Sequence, residues 1–320
     1  MYWKQALKAF RDKGFLQHSK HYPELVNRQR QNQLRSLASR ATPAVYDINL
    51  EVHQMMLGER LSPFAKSGYE FAETRLYQVG DNVRFINWRR YANTGQLYIN
   101  TFHEERRPQC WIVMDRRINM RFGTRVRLKV EQAANYAFYH LFKAQHHQLD
   151  IGGILLDQEL QWFEAKSASA NLNPLLQQVN APAPPITDIA NVQLNQVLRL
   201  LNVRLSPGCL IILISDFSDL TASDATYLSS LADKHTLAAV HIIDPIEAKL
   251  PDKGFYNIAQ ETTQSILPLN CNDPSLHQLI DNKLQERLQE IKGLLKQSGV
   301  QYKLAYSDED FEDDNLVAST

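Results

Sequence analysis

Five short apolar runs alternate with helical patterns between residues 110 and 306, and this alternation constrains the fold more than any other feature. Each run has the length and apolar content of a buried strand, and the segments between them repeat apolar residues at helical spacing. The runs are WIVMD, IGGILL, CLIILISD, TLAAVHIID and VQYKLAY. Strands that alternate with helices in this way predict an α/β fold with a doubly wound, mostly parallel sheet and helices on both faces.

Three of these predicted strands end on an aspartate, namely Asp115, Asp216 and Asp244. In open α/β sheets, ligands bind at the carboxyl ends of the strands, so these carboxylates are candidates for a shared site. A single aspartate at such a position more often caps a helix or forms a turn. The sequence leaves both roles open, and the binding role is favoured most for Asp115 and Asp216.

The chain divides into four predicted parts. Residues 1–45 form an N-terminal helical segment, residues 46–108 form an extension with a β-hairpin, and residues 109–307 form the α/β domain. Residues 308–320 form an acidic tail, in which six of the first seven residues are Asp or Glu. A segment of such composition is expected to be disordered.

Two helices carry specific expectations. Residues 22–40 place Leu34 on a thin apolar stripe among Arg and Gln, which predicts a surface helix packed on the main domain. A basic arm that contacts nucleic acid or acidic lipid is the alternative for this segment. Later in the chain, Thr187 or Asp188 is expected to cap a helix that runs to about residue 204.

Overall composition gives no strong indication of a partner. The 320 residues carry a formal net charge of zero, and three cysteines without a spacing pattern are typical of a reducing compartment. No apolar run reaches the roughly 18 residues that span a bilayer, so a cytoplasmic location is expected. If Asp115 and Asp216 are level on neighbouring strands, Cys110 and Cys209 are staggered by two residues, about 7 Å, and cannot form a disulfide.

Basic residues are concentrated locally, because residues 84–129 hold eleven Lys or Arg against three Asp or Glu. This region makes nucleic-acid or anionic-surface binding an alternative function. The sequence contains no phosphate-binding glycine loop, nucleophile elbow, C-x-x-C or H-E-x-x-H motif, so catalysis is not predicted. A metal-dependent hydrolase at Asp115 and Asp216 is a weaker alternative, because it needs a water-activating cation.

A dense run of charged and aromatic residues precedes the first apolar strand. It follows the pattern G-x-E-F-x-E-x-R-x-Y-x-x-G-D-x-x-R-x-I-x-W-R. The matching residues, which we call the signature, are Gly68, Glu70, Phe71, Glu73, Arg75, Tyr77, Gly80, Asp81, Arg84, Ile86, Trp88 and Arg89. The pattern resembles that of a widespread bacterial family of unknown function, and residues 50–307 are similar to this family in their order of elements.

The resemblance implies a von Willebrand factor A-like, Rossmann-like domain that follows an N-terminal extension. Members of the family are commonly encoded beside MoxR-type AAA+ ATPases and are thought to act with them in assembling or maturing other proteins. For this chain, the resemblance implies a protein-binding adaptor rather than an enzyme. Its partners are then a MoxR-type ATPase and a client protein, and nucleic acid is not the expected partner.

Domains of this type often carry a metal-ion-dependent adhesion site with D-x-S-x-S after the first strand, a Thr in a later loop and an Asp after the fourth strand. Here Asp115, Thr187 and Asp216 match, whereas Arg117 and Asn119 replace the two serines. Asn119 still offers an oxygen, but the Arg117 guanidinium competes with a cation for Asp115. The resemblance therefore implies an ion pair at this position and no cofactor beyond weakly bound Mg²⁺.

The signature also has a physical interpretation of its own. Its charged residues alternate in sign among aromatic residues, and such pairs can hold an irregular segment in place. A structural clasp on the edge of the sheet is the favoured interpretation, and a surface that binds a partner is the alternative.

Overall fold

The computed structural model describes residues 24–40, 61–62, 69–79, 81–104, 108–184, 192–259 and 266–311. The chain forms two compact units, a smaller one at Leu50–Pro108 and a larger one at Met1–Asn49 with Gln109–Thr320. Residues 1–23 and 41–45 of the predicted N-terminal helical segment lie outside the described residues, as does Thr187.

The described elements are numbered in chain order. The strands are β1 (Leu61–Ser62), β2 (Tyr69–Leu76), β3 (Tyr98–Glu104), β4 (Gln109–Asp115), β5 (Asp150–Leu156), β6 (Leu160–Ser167), β7 (Leu210–Ser215), β8 (Thr236–Ile243), β9 (Phe255–Ala259), β10 (Ile266–Asn270) and β11 (Gln301–Tyr306). The helices are α1 (Arg28–Arg40), α2 (Trp88–Thr94), α3 (Lys129–His146), α4 (Ala168–Val179), α5 (Leu194–Arg204), α6 (Ala225–Ala232), α7 (Pro245–Ala248) and α8 (Pro274–Gln297).

The larger unit contains a six-stranded sheet in the order β11-β8-β7-β4-β5-β6. All neighbours are parallel except β5 and β6, which pair in antiparallel fashion through a tight connection. Counted within this sheet, the order is the doubly wound 3-2-1-4-5-6 arrangement. The predicted α/β fold with a mostly parallel sheet is therefore confirmed.

Helices cover both faces of this sheet. One core contains side chains of α1, α3 and α4, and the other contains side chains of α5, α6 and α8. Helix α3 is buried on nearly all sides, because α1 packs on the surface that faces away from the sheet. Leu34 of α1 is fully buried in that contact. The prediction that this segment packs on the main domain is confirmed.

One correction concerns the start of α5. Residues 192–193 precede the helix in extended or irregular backbone, and the helix begins at Leu194 rather than near residue 188. The first turn is capped from elsewhere in the chain, because the Leu194 N–H donates to Asp219 Oδ2 at 2.9 Å. Thr187 and Asp188, the two predicted caps, lie outside the described residues.

A second correction concerns the acidic tail. Phe311 is 5% exposed and packs on Tyr136 and Tyr139 of α3, with ring centroids 4.7 Å and 4.9 Å away. Burial of this one aromatic ring holds the start of the tail against the domain. The expectation of disorder is wrong for residues 308–311, and residues 312–320 lie outside the described residues.

The register between β4 and β7 also differs from the prediction. Cys110 is paired with Leu210, so Asp115 is level with Ser215 and not with Asp216. The stagger between Cys110 and Cys209 is one residue instead of two. Their side chains therefore belong to opposite faces of the sheet, and both cysteines are free.

The smaller unit is a three-stranded antiparallel sheet in the order β1-β3-β2. Helix α2 lies between β2 and β3 in the chain and packs on β3. Ile86 forms an isolated bridge to Ile99, and both side chains are buried.

Candidate functional site

The carboxyl ends of β4 and β7 form the topological switch point of the large sheet. These strands are the first and fourth of the doubly wound order, and the chain leaves their ends toward opposite faces. In folds of this kind the crevice at such a point is where ligands bind. Asp115 is the last residue of β4, and Asp216 directly follows β7.

Asp115 is 1% exposed and is surrounded by hydrogen-bond donors. Oδ1 accepts from the Arg117 N–H at 2.9 Å and from Arg117 Nε at 3.0 Å. Oδ2 accepts from Arg117 Nη2 and from the Ser215 hydroxyl, each at 2.7 Å. Burial raises the pKa of Asp115, and Arg117 and the Ser215 hydroxyl act against that effect by favouring the ionised form. Four donors match the four lone-pair positions of a carboxylate, so the oxygens of Asp115 have no capacity left for a cation. The ion pair with Arg117 is as the sequence predicts.

Arg117 also binds a second acid. Its Nη1 lies 2.5 Å from Asp219 Oδ2, and its Nη2 lies 3.0 Å from Asp219 Oδ1. Asp219 in turn accepts the Leu194 N–H at the start of α5, where the helix dipole favours a negative charge. A single guanidinium thus joins the end of β4 to the loop after β7 and the start of α5.

Asp216 is held by a different cation. The Lys129 ammonium donates to Asp216 Oδ2 at 3.0 Å and to Glu247 Oε1 at 2.8 Å. Lys129 is 1% exposed and is the first residue of α3. Asp216 Oδ1 also accepts from the Ser218 N–H at 3.1 Å. The two aspartates expected to share one ligand are therefore neutralised by two different internal cations.

The pKa values follow from burial and from these pairs. Burial by itself raises the pKa of Asp216, but Lys129, the Ser218 N–H and Arg117 outweigh burial and bring the pKa to about 2. Burial lowers the pKa of Lys129, yet Asp216 and Glu247 raise it overall above its ordinary value. Burial raises the pKa of Glu247, against the opposing effect of Lys129. Asp216 and Lys129 are both charged at neutral pH.

Two aromatic residues and a histidine border this network. His241 is 1% exposed, and its Nδ1 lies 3.0 Å from the Tyr302 hydroxyl. Burial lowers the pKa of His241 to about 4, although the nearby Asp216 acts to raise it. The Phe217 ring packs edge-on against the imidazole, with centroids 5.5 Å apart. His241 is consequently neutral at pH 7.

Asn119 lies at the rim of the site. Its Nδ2 donates to the Ser218 hydroxyl at 3.2 Å, so it contacts the loop after β7 and not Asp115. The structure thus brings together Asp115, Arg117 and the β7 loop, and leaves Asn119 at the edge. The position of Thr187 is outside the described residues.

Asp244 has a structural role. It is fully buried and caps α7, whose Ile246 N–H donates to Oδ1 at 3.1 Å. It also accepts from the Thr124 N–H at 2.8 Å, from the Thr124 hydroxyl, and from the Ser307 hydroxyl at 2.9 Å. With its oxygens occupied in this way, Asp244 anchors the loop before α3 to the end of β11. The capping role, rather than the binding role, applies to this residue.

Much of the basic region 84–129 is used inside the larger unit. Arg116 is 4% exposed and donates to Asp157 and to backbone carbonyls at the end of α4. Arg121 also pairs with Asp157, and Arg117 and Lys129 are in the network described above. The charge excess in the sequence therefore overstates the positive charge that this part of the protein presents to solvent.

The signature residues fall into three groups. Arg75 and Asp81 form a bidentate ion pair at 2.8 Å and 2.7 Å, and Ile86 is buried. Arg84, Trp88 and Arg89 are exposed, whereas Tyr77 is half-buried. The others are described by backbone only or lie outside the described residues: Gly68, Glu70, Phe71, Glu73 and Gly80. The interpretation of the signature as a clasp on the edge of the sheet stays a prediction.

Sequence reasoning missed four members of the network, which are Lys129, Glu247, Asp219 and Ser215. A detectable signal existed for two of them. A lysine at the first position of a helix is unfavourable against the helix dipole, so Lys129 indicates a nearby acid. The D-P-I-E sequence after β8 has the spacing of a capping box, which points to Glu247.

The chemistry available at this site is limited. The Ser215 hydroxyl is 2% exposed, donates to Asp115 and accepts from the Phe217 N–H at 3.0 Å, so its proton is used inside the protein. Among the described residues, no group of three or more His, Cys, Asp or Glu side chains is placed to hold a metal ion. The arrangement is suited to fixing loops at the strand ends rather than to bond making.

Comparison with known proteins gives relatives whose function is also unknown. Uncharacterized protein Rv1480 of Mycobacterium tuberculosis and uncharacterized protein Mb1516 of Mycobacterium bovis are each 25% identical to this chain over 224 residues, which is 68% of this chain and 68% of theirs. In the described parts of the chain, no helix combines the length and the apolar character that crossing a bilayer requires.

Two solved structures show weak similarity. One is the conserved hypothetical protein BatB from Bacteroides thetaiotaomicron, with 12% identity and a TM-score of 0.39 over 63% of this chain and 91% of that one. The other is an aerotolerance-related membrane protein from Bacteroides fragilis with multiple mutations to serines, with 12% identity and a TM-score of 0.36 over 65% and 92%.

A family match covers most of the chain. Residues 73–289 match the family described as protein of unknown function DUF58, and this range includes part of the signature, the network at the strand ends and most of α8. The signature resemblance to a bacterial family of unknown function is thereby confirmed. This chain is a member of the DUF58 family.

Proposed function

We propose that this protein is a protein-binding adaptor, located in the cytoplasm, that works with a MoxR-type AAA+ ATPase in the assembly or maturation of a client protein. The ATPase and the client are inferred from the resemblance stated above. The observation that supports an adaptor over an enzyme is the saturation of Asp115 by four donors at the switch point.

The full occupation of the Asp115 oxygens at the switch point favours protein binding over catalysis for a physical reason. Acids that catalyse or hold a metal need an oxygen that is free to meet a substrate, a proton or an ion. Here Asp115 and Asp216 use their oxygens to fix Arg117, Lys129 and the loop after β7. The loops at the strand ends are thus held rigid, and a rigid surface binds a partner with a smaller loss of conformational entropy.

The alternatives receive less support. Nucleic-acid binding through residues 84–129 would rely on their eleven Lys and Arg side chains. Four of these form internal ion pairs, namely Arg116, Arg117, Arg121 and Lys129. A metal-dependent hydrolase at Asp115 and Asp216 requires displacing an internal cation from each carboxylate.

The test is a direct binding measurement. The purified protein is titrated with the MoxR-type ATPase of the same bacterium, with ATP or ADP present, and the complex is followed by sedimentation velocity. Ser218→Arg places a bulky charge on the exposed loop after β7, and Ser206→Arg places the same change at the opposite end of that strand. We expect Ser218→Arg to weaken the complex about tenfold or more and Ser206→Arg to have little effect.

Each outcome is informative. Absence of a complex between the two wild-type proteins would overturn the proposed partnership. We expect the ATPase to bind the face formed by the loops at the strand ends. A complex that both substitutions weaken equally would overturn that expectation.

A further inference from the structure

The smaller unit exposes an unusual amount of apolar surface. Ten large hydrophobic side chains are exposed in the described parts of the chain, and six of them lie between residues 76 and 97. They are Leu76, Val79, Val83, Trp88, Tyr91 and Leu97. Trp88 is 61% exposed, although a tryptophan is normally well covered. Exposed apolar side chains grouped in this way mark a surface that binds another molecule.

From residue 82 onward, the same stretch also carries an excess of positive charge. Arg84, Arg89 and Arg90 are exposed, and the sequence contains no Asp or Glu between residues 82 and 103. Arg90 lies over the Tyr98 ring, with Cζ 4.3 Å from the centroid. Within the described residues, the side chains of Arg84 and Arg89 have no ion-pair partner. We call Val83, Arg84, Trp88, Arg89 and Tyr91 the α2 surface.

Local contacts hold the α2 surface in a fixed conformation. The Asn82 and Asn87 side chains accept from the N–H groups of Arg84 and Arg90, at 3.1 Å and 3.0 Å. Asn82 caps a short 3-10 helix at Val83–Phe85, and Asn87 caps α2. Gly95 ends α2 in the left-handed region, at a φ of 69°, which a glycine adopts without strain. The exposed side chains are therefore presented on an ordered backbone.

We infer that the α2 surface binds an acidic segment of a partner protein that carries both carboxylates and apolar side chains. The arginines provide paired donors for carboxylates, and Trp88 with Tyr91 provides the apolar contact. Tryptophan, tyrosine and arginine are the residues that most often dominate the binding energy of protein interfaces. This inference rests on the proposed adaptor function and adds the chemistry of one partner.

A protein segment explains this surface better than a single-stranded nucleic acid. Bases stack on aromatic rings that lie parallel to them, one ring for each base. Trp88 and Tyr91 instead meet edge to face, with an interplanar angle of 88° and centroids 6.1 Å apart. Val83 and Leu97, which are exposed in the same unit, are aliphatic, and they suit apolar side chains rather than a phosphate backbone.

The experiment uses synthetic probes and the full chain. A fluorescein-labelled 16-residue peptide with alternating Glu or Asp and Leu or Phe is titrated by anisotropy, beside the same peptide with Gln and Asn as the polar residues. A 16-nucleotide oligothymidylate is the third probe. The variants are Trp88→Ala and the double variant Arg84→Glu/Arg89→Glu.

Control variants carry the same types of substitution at exposed positions outside the α2 surface, so an effect of position is distinguished from an effect of residue type. Phe255→Ala removes an aromatic side chain that is 69% exposed in the larger unit. Arg28→Glu/Arg199→Glu makes the same charge change at two exposed positions of the larger unit. Circular dichroism of each variant verifies that the fold is retained.

We expect the wild-type chain and both controls to bind the acidic peptide and both α2-surface variants to bind it about tenfold or more weakly. The Gln and Asn peptide is expected to bind more weakly than the acidic one. The inference would be overturned if the wild-type chain did not bind the acidic peptide, or if all variants bound it equally. It would also be overturned if the α2-surface variants lost binding of the oligothymidylate alone. Because these titrations contain no ATPase, failure of the ATPase to bind is a separate result that concerns the proposed function.

Discussion

Arg117 contacts both oxygens of Asp115 and both oxygens of Asp219, so one guanidinium bridges two acids that are 104 positions apart. The side chain of Arg117 is 11% exposed and that of Asp115 is 2% exposed. The pair is therefore shielded from solvent, and removal of one partner leaves a buried charge without compensation.

The first prediction concerns the stability contributed by this bridge. Arg117→Ala is expected to lower the free energy of unfolding by about 3–5 kcal/mol, because Asp115 is left as a buried carboxylate without its counter-ion. Arg125→Ala is the control, since Arg125 forms a solvent-exposed pair with Asp308 and its loss should cost about 1 kcal/mol or less. Urea unfolding measures both. Equal effects of the two substitutions would contradict the bridging role of Arg117.

The second prediction concerns divalent cations. Isothermal titration of the wild-type chain with Mg²⁺ should show no micromolar binding, because the oxygens of Asp115 are fully occupied. Arg117→Ser/Asn119→Ser restores the D-x-S-x-S pattern and is expected to bind Mg²⁺ more tightly than the wild type. Micromolar Mg²⁺ affinity in the wild type that disappears in Asp115→Ala would contradict this account.

The third prediction concerns Lys129 and pH. Lys129→Met removes the cation between Asp216 and Glu247 and is expected to cost about 3–5 kcal/mol at pH 7. Without Lys129, burial raises the pKa values of both carboxyls above those of the unfolded chain. The folded variant then binds more protons than the unfolded one, so its stability rises as the pH falls from 7 toward 5.

The measurement compares wild type and variant across that range of pH. In the wild type, the pKa of Asp216 is about 2, against 3.8 for an ordinary aspartate. The contribution of Asp216 to the free energy of unfolding is therefore present above pH 3.8 and is lost as the pH falls toward 2. The difference in stability between wild type and Lys129→Met should therefore shrink between pH 7 and pH 5. A constant difference would show that Lys129 acts through packing alone.

The fourth prediction concerns His241. Its pKa in the folded protein is about 4, against 6.5 for an ordinary histidine, so the unfolded chain binds more protons between these values. The stabilising contribution is complete above pH 6.5 and is lost as the pH falls toward 4, with a total of about 3 kcal/mol. His241→Phe should flatten the pH dependence of unfolding in this range. The same substitution at the exposed His146 is the control for loss of one imidazole.

The fifth prediction concerns the start of the acidic tail. Phe311→Ala is expected to lower the free energy of unfolding by about 3 kcal/mol, because the ring is buried between Tyr136 and Tyr139. A chain that ends at Phe311 is the control and should retain that contribution. Thermal unfolding of the three proteins is the measurement, and equal melting temperatures would show that the contact adds no stability.

The order of elements in the larger unit was predictable from the sequence, because each strand is a short apolar run and each long helix has a clear periodicity. The end of α8 was predictable as well, because Gly299, just past the helix, has a positive φ of 78° and a glycine of this kind ends a helix locally. Elements whose stability is local are the ones that sequence patterns describe well.

The candidate site was predictable only in part. Asp115, Arg117 and Asp216 follow strands, and their positions indicated the correct end of the sheet. The one-residue error in register between β4 and β7 arose because the register of parallel strands depends on packing against both faces, which no local pattern records. Asp219 was missed as the cap of α5 because that contact joins residues 25 positions apart.

The ion pairs of the network have a consequence for how this chain folds during synthesis. Lys129 contacts acids that follow it by 87 and 118 positions. A growing chain adds about 5–20 residues per second, so α3 leaves the ribosome several seconds before Glu247 is made. Until then, the first residue of α3 is a hydrated lysine, and the helix lacks the acids that later hold its amino end. We therefore expect the larger unit to become stable only after β8 and α7 have emerged, and chains that terminate earlier to be short-lived in the cell.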